Sequence, residues 1–178
     1  VYCIMNEGQV LEPALDCLRT GCHILIEKPP GLNSEQTAQM LKAAEDNGLW
    51  AMVGFQRRFA AVTQEALRRV GCKGRSTLAI GTFNKPDAGD SRLTTTLWND
   101  VCHVVDLVRY MAGNEAVEVN AFQDTGQKAL PADYNSLIRF ANGAVGMVIA
   151  NRSSGGRTLR AELHGVGLGC YMRIPEQL

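Results

Sequence analysis

The order of apolar and polar positions divides the chain into two halves of different character. Residues 1–5 form a short apolar run that stops at Asn6, Glu7 and Gly8, the signature of a buried strand ending in a turn. Leu11, Ala14, Leu15 and Leu18 follow at i, i+3, i+4 and i+7, which is one face of a helix, with Pro13 admissible in its first turn and Gly21 as its stop. Residues 22–26 are a second apolar strand, closed by Glu27, Lys28, Pro29 and Pro30. Asn33 and Gln36 resemble a capping box in front of a second helical face at Thr37, Met40, Leu41 and Ala44, which ends at Asn47-Gly48. A third strand occupies 50–53. Strand, helix, strand, helix, strand within about fifty residues is two crossover units, so these strands should be parallel and belong to an α/β sheet.

The pattern changes near residues 54–60. A helix is expected over 60–70 and a strand over 77–83, followed by a polar, Gly- and Pro-containing loop at 85–96 of the length used for lids and substrate loops. Residues 98–112 read as a helix that Gly113 ends. Strands are expected at 116–122, 134–141, 144–150, 158–164 and 169–174. Asn142-Gly143, between two alternating runs, predicts a hairpin because both residues accept positive φ, and hairpins bring antiparallel pairing. The expected organisation is an α/β piece over 1–56, the C-terminal part of a parallel sheet, followed over 57–178 by an α+β domain with a mostly antiparallel open sheet.

Composition supports a packed core. The 178 residues are 46% hydrophobic and 20% charged, which argues against intrinsic disorder. Eighteen Lys and Arg balance eighteen Asp and Glu, so no basic excess suggests nucleic acid or a membrane surface as a partner. No apolar run approaches the roughly 18 residues of a membrane span. Cys3, Cys17, Cys22, Cys72, Cys102 and Cys170 contain no C-x-x-C pair, and several sit in apolar stretches. They read as buried free thiols rather than disulfides or metal ligands, which fits a reducing, cytoplasmic setting. The chain opens on Val1 inside a strand-like run, so the expectation is that it begins partway through a domain.

Two places could carry chemistry. Glu27-Lys28-Pro29-Pro30 leaves a strand at the end where open α/β sheets form ligand crevices, and an X-Pro bond there has access to the cis form. The other is the helix at 98–112. At 100° per residue Asn99, His103, Asp106 and Tyr110 share one side, and Val101, Val104, Val105, Val108 and Met111 lie opposite. That polar stripe either faces water or lines a site. It holds one of only three histidines, with Asp100 and Asp106 three residues to either side, and a carboxylate beside imidazole suits a general base. The Arg57-Arg58 pair is open to two readings, an anion contact or a clamp on backbone or side chain. Gly165, Gly167 and Gly169 read as a turn between strands, since no helix follows to hold a pyrophosphate. His23 and His164 alternate with apolar strand residues and read as structural.

Taken in order, Gly21-x-His23-Ile24-Leu25-x-Glu27-Lys28-Pro29, Ala44-Glu45-x-x-Gly48, Val53-Gly54-x-x-x-Arg58-Phe59 and His103-x-x-Asp106 resemble the Gfo/Idh/MocA family of NAD(P)-dependent oxidoreductases, which act mostly on sugars, sugar derivatives and polyols. The resemblance covers nearly the whole chain. It implies an N-terminal Rossmann domain, represented here without its first strand and its G-x-G-x-x-G turn, and a C-terminal α+β substrate domain that stops early. It further implies NAD or NADP as cofactor, a sugar or polyol substrate, and a homo-oligomer formed through the C-terminal sheet. By the same resemblance the catalytic residues are Lys28, His103, Asn99 and Asp100. The cofactor contacts would be Met5, Asn6, Glu27, Lys28, Pro29 and Gln56, and the substrate contacts Lys28, Arg58, Asp100 and His103, with no metal. Lys28 would bond the substrate hydroxyl and the nicotinamide ribose, and His103 would take the hydroxyl proton. Two positions depart from the family pattern: Asn99 stands where many members carry Asp, and Met5-Asn6 replaces a usual Thr-Pro. Lacking the Gly-rich turn, the 178 residues alone should bind NAD(P) poorly. Two alternatives stay open on the same fold: a cofactor- or sugar-sensing regulator with weak or no catalysis, and an NAD-retaining glycosidase.

Overall fold

The computed structural model describes residues 1–86, 97–124 and 133–174. These fall into two compact units that meet in sequence at Phe55 and Gln56. Most of the expected loop at 85–96 and the end of the chain after Ile174 lie outside the described residues.

The first unit is a parallel sheet of three strands, β1 (Tyr2–Cys3), β2 (Ile24–Ile26) and β3 (Ala51–Val53), in the order β1-β2-β3. Tyr2 pairs with Leu25, and Leu25 with Met52. Helices α1 (Leu11–Arg19) and α2 (Ser34–Asp46) make the two crossovers and bury Ala14, Leu15, Leu18, Met40 and Ala44 with Ile24 and Ile26. The helix start inferred at Asn33 forms as expected. Asn33 Oδ1 accepts from the Gln36 backbone N–H at 2.9 Å. Gln36 Oε1 reaches back to the N–H of Leu32, one residue before the position a standard capping box would use.

The second unit opens with a 3-10 turn (Gln56–Phe59) and α3 (Ala61–Gly71), and then builds one six-stranded sheet. Its strands are β4 (Ser76–Asn84), β5 (Ala116–Asp124), β6 (Asp133–Phe140), β7 (Val145–Asn151), β8 (Thr158–Gly165) and β9 (Leu168–Arg173), in the order β5-β6-β7-β4-β8-β9. Every pairing is antiparallel except β4 with β7, which is parallel in register Leu78 to Val145 through Asn84 to Asn151. Those two strands therefore end side by side. Helix α4 (Cys102–Ala112) lies on the inner face and packs Val104, Leu107, Val108 and Met111 against Ala79, Phe83, Val148 and Ala150. Gly113 ends α4 at φ +71°, a left-handed conformation that residues with a Cβ adopt only at a cost.

Three local expectations need correction. The hairpin between β6 and β7 forms, but only Gly143 has positive φ, at +80°. Gly143 N–H bonds Phe140 O and Phe140 N–H bonds Ala144 O, so a four-residue turn with glycine in the left-handed position replaces the two-residue turn with both residues left-handed. Asn142 instead spends its side chain on the N–H of Ala144 and the carbonyl of Ala112. The helix expected at 98–112 opens with a π-helical turn (Leu97–Val101), so a constant 100° step does not hold there. Val105 is 37% exposed rather than buried with the apolar side of α4.

The closeness of α4 to the sheet depends on glycine. A Cβ at Gly81 would strike Val104 Cγ2 and come within 2.9 Å of Val108 Cγ2. Both valines are β-branched and cannot swing aside. Gly81→Ala is therefore expected to cost about 1–3 kcal/mol through overpacking, read as a lower urea midpoint at unchanged slope. Among the described residues no helix is long and apolar enough to cross a membrane.

Candidate functional site

In the first unit the polar residues collect at the carboxyl ends of the parallel strands. Met5 and Asn6 follow β1, and Glu27-Lys28-Pro29 follows β2, the central strand. Met5 and Asn6 are exposed, Glu27 and Lys28 are half-buried, and Pro29 is buried. The Lys28-Pro29 peptide is cis. Glu27 Oε2 accepts from the backbone N–H of Lys28 at 3.3 Å. Gly54, directly after β3, makes room for this carboxylate: a Cβ there would sit 3.4 Å from Glu27 Oε1. The arrangement is a polar row along the crevice end of a Rossmann-type sheet, open where a nicotinamide nucleotide lies in such folds, and the residue types fit that group. Gln56, expected as a further cofactor contact, belongs to the second unit, exposed at the start of its 3-10 turn.

In the second unit the polar stripe of the α4 segment is buried, not turned to water: Asn99, Asp100, His103 and Asp106 are all less than a tenth exposed. Each carboxylate has a basic partner. Arg58, from the 3-10 turn, donates through Nε to Asp106 Oδ2 at 2.8 Å and through Nη2 to Asp106 Oδ1. The same guanidinium lies 5.1 Å from the centre of the Tyr110 ring, and Gln64 Nε2 bonds both Tyr110 Oη and the carbonyl of Arg58. Hydrogen bonding to Asp106 raises the Arg58 pKa further above its ordinary value. Of the two readings of the Arg57-Arg58 pair, the structure shows the clamp for Arg58, holding the 3-10 turn to α4. Arg57 is half-buried, and its Nε has no hydrogen-bond partner. Burial first, and then the like charge of Arg157, push its pKa down.

Asp100 is the second anchored carboxylate. Arg152 Nη1 donates to its Oδ2 at 2.5 Å, and Lys85 Nζ donates to the same oxygen at 3.2 Å. Neither cation was singled out by sequence. Both directly follow strands, Lys85 after β4 and Arg152 after β7, and it is the parallel pairing of those strands that brings them together. The structure thus gathers Asn99, Asp100, His103, Asp106 and Arg58 about one helix of the second unit, and Met5, Asn6, Glu27, Lys28 and Pro29 at one sheet end of the first. His23 and His164 make local contacts: His23, exposed just before β2, accepts at Nδ1 from the N–H of Trp50, and His164 Nε2 in β8 lies 3.2 Å from Glu162. Gly165 to Gly169 form the β8–β9 hairpin, with Gly167 at φ +69°.

Comparison with known proteins adds identity to this geometry. Residues 2–55 match a family described as an oxidoreductase family with an NAD-binding Rossmann fold, and residues 77–167 match the GFO/IDH/MocA C-terminal domain. Levoglucosan dehydrogenase of Pseudarthrobacter phenanthrenivorans is 29% identical over 195 residues, spanning 86% of this chain and 50% of that protein. D-Glucoside 3-dehydrogenase of Escherichia coli is 32% identical over 172 residues, spanning 75% of this chain and 46% of that protein. A solved structure of levoglucosan dehydrogenase with NADH and levoglucosan superposes with a TM-score of 0.85 at 27% identity, covering 97% of this chain and 53% of that one. The chain thus spans about half the length of the curated relatives it matches. With both of its parts matched in order, and with the parallel sheet and the mostly antiparallel sheet that those parts require, the chain belongs to the Gfo/Idh/MocA family of oxidoreductases.

Proposed function

We infer that the protein is an NAD(P)-dependent dehydrogenase or reductase acting on a hydroxyl-bearing carbon of a sugar, sugar derivative or polyol, with Lys28 and His103 at the reacting centre. The observation that carries this reading is the burial of the polar face of α4. A solvent-facing stripe needs no partners, yet here Asp100 and Asp106 are each anchored by cations on either side of His103. Such a surround fixes the helix face on which the imidazole stands, as a general base requires. Relatives named for levoglucosan, D-glucosides and inositols support the substrate class.

NAD(P), when bound, supplies the hydride acceptor. Met5, Asn6, Glu27, Lys28 and Pro29 would hold its nicotinamide end, with Gln56 as a further contact. The Lys28 ammonium orients the substrate hydroxyl and favours the negative charge that grows on its oxygen as the C–H bond breaks. His103 accepts the hydroxyl proton on an imidazole nitrogen, so the carbinol becomes a carbonyl while the proton stays on the protein. Asn99 contributes a neutral hydrogen-bonding group, and Asp100 holds its two cations in place beside the substrate. The test is NADH or NADPH formation, followed by absorbance, with a panel of polyols and sugars in the longest natural form of the protein. Cofactor binding without turnover on any of them would point instead to a sensing role.

The outer face of the second unit's sheet, opposite α4, supports the homo-oligomer reading. Leu137, 49% exposed, adjoins half-buried Met147 and Ile80 along one row across three strands. An apolar stripe of this kind, polar at its rim, marks a protein–protein contact. Leu137→Glu is expected to leave folding intact and halve the mass measured by light scattering. An unchanged mass would remove this face from the interface.

A further inference from the structure

Lys85 and Arg152 have no step in the reaction described above, and their setting is costly for two cations. Inner-face positions alternate along β4 through Ala79, Gly81 and Phe83, and along β7 through Val148 and Ala150. With a period of two, Lys85 and Arg152 extend those same rows beyond the strand ends, which lie side by side in register. Both side chains reach one carboxylate oxygen of Asp100. The Arg152 side chain is 2% exposed, and its Nε has no hydrogen-bond partner. A buried cation is costly unless an anion pairs with it, and here two cationic heads share one carboxylate. Asp133 does not make up the difference. Its Oδ1 accepts from the backbone N–H of Arg152, and its Oδ2 lies 3.4 Å from Ser153 Oγ, so it orders the loop backbone rather than either cationic head. Among the described residues the two cationic heads thus meet no second carboxylate, and Lys85, with 27% of its side chain open, is where a ligand reaches them.

We propose that Lys85 and Arg152 form a subsite for a substrate carboxylate, so that the sugar or polyol taken by this protein is an acid of the uronic or aldonic type. The proposal rests on the functional reading above, because Asp100, on the π-helical turn that leads into α4, is buried three residues before His103, itself buried. On that reading a carboxylate held by Lys85 belongs to the same substrate whose hydroxyl faces His103. Arg57 and Arg157, which form no ion pair among the described residues, add a field of the same sign to this unit.

The test is a binding measurement, not an assay of turnover. D-Galacturonate and D-gluconate are compared by calorimetry with D-galactose and D-sorbitol at low salt, with NADH present, in the longest natural form of the protein. The acids should bind roughly tenfold or more tightly than their neutral counterparts, the range of a charge-assisted hydrogen bond, and this margin should shrink with added salt. Lys85→Met should erase the margin while leaving the neutral ligands within about twofold of their wild-type affinity, and Lys85→Arg should restore it. Equal binding of acid and neutral forms, no binding of either acid, or a margin that survives Lys85→Met would overturn the proposal. An acid preference with no NADH formed from any substrate would leave the subsite standing and remove the hydride-transfer reading, so the two fail separately.

Discussion

Replacing His103 with asparagine is expected to lower turnover by about 10²–10⁴-fold, the range that a positioned acid–base group contributes, while NADH binding stays within about twofold of wild type. Asparagine keeps a polar side chain of similar reach in a position less than a tenth exposed, so the loss would report proton transfer rather than packing. Lys28→Met should lower turnover by a similar order, because it removes the charge beside the developing alkoxide and leaves an apolar chain of comparable length. On the proposed reading the two act as a unit on one transition state, so the loss in the double variant should be far smaller than the product of the single losses. Steady-state rates on the best substrate of the panel, beside fluorescence titration with NADH, make the measurement. Wild-type turnover in either variant would dissolve the assigned centre.

The second large effect concerns the anchor one turn further along α4. Arg58→Met leaves the Asp106 carboxylate, 8% exposed, with its bidentate partner gone. Removing one member of a buried pair typically costs about 3–5 kcal/mol, and the lower end applies because Arg58 itself is 32% exposed and water can reach the gap. The expected loss is about 3 kcal/mol in chemical denaturation. Asp106→Asn should cost clearly less, since the guanidinium it abandons is the partner with access to solvent and keeps its contact with the Tyr110 ring. This order of effects separates a clamp from a substrate contact: if Arg58 served mainly to bind ligand, Arg58→Met would raise KM and leave the unfolding midpoint unmoved.

Local information sufficed at the end of β2. The Glu27-Lys28-Pro29 element could be placed in advance because a strand, its stop and its crossover helices are all encoded within about twenty residues. The Asn33–Gln36 cap formed for the same reason. Lys85 and Arg152 escaped notice although they occupy the corresponding place at the ends of β4 and β7, because those strands are distant in sequence and nothing local says they run parallel and adjacent. The partner of the Arg57-Arg58 pair was equally hidden, Asp106 being 48 residues from Arg58.

Helix α4 marks the division most clearly. Its spacing alone put Asn99, His103, Asp106 and Tyr110 on one side, since helical periodicity is a property of the chain itself. Whether that side met water or a buried site depended on what packs around it, and the long-range pairs Arg58–Asp106 and Arg152–Asp100 supplied the answer. The π turn at Leu97–Val101, which brings both Asn99 and Asp100 inside, likewise departs from the uniform helix that its sequence suggests. Amino-acid order thus determined the elements, the two-part plan and the residue types available for chemistry, because these follow from backbone periods and turn preferences. Tertiary structure alone decided which charges meet, because the energy of a buried cation depends on partners that the chain brings from far away.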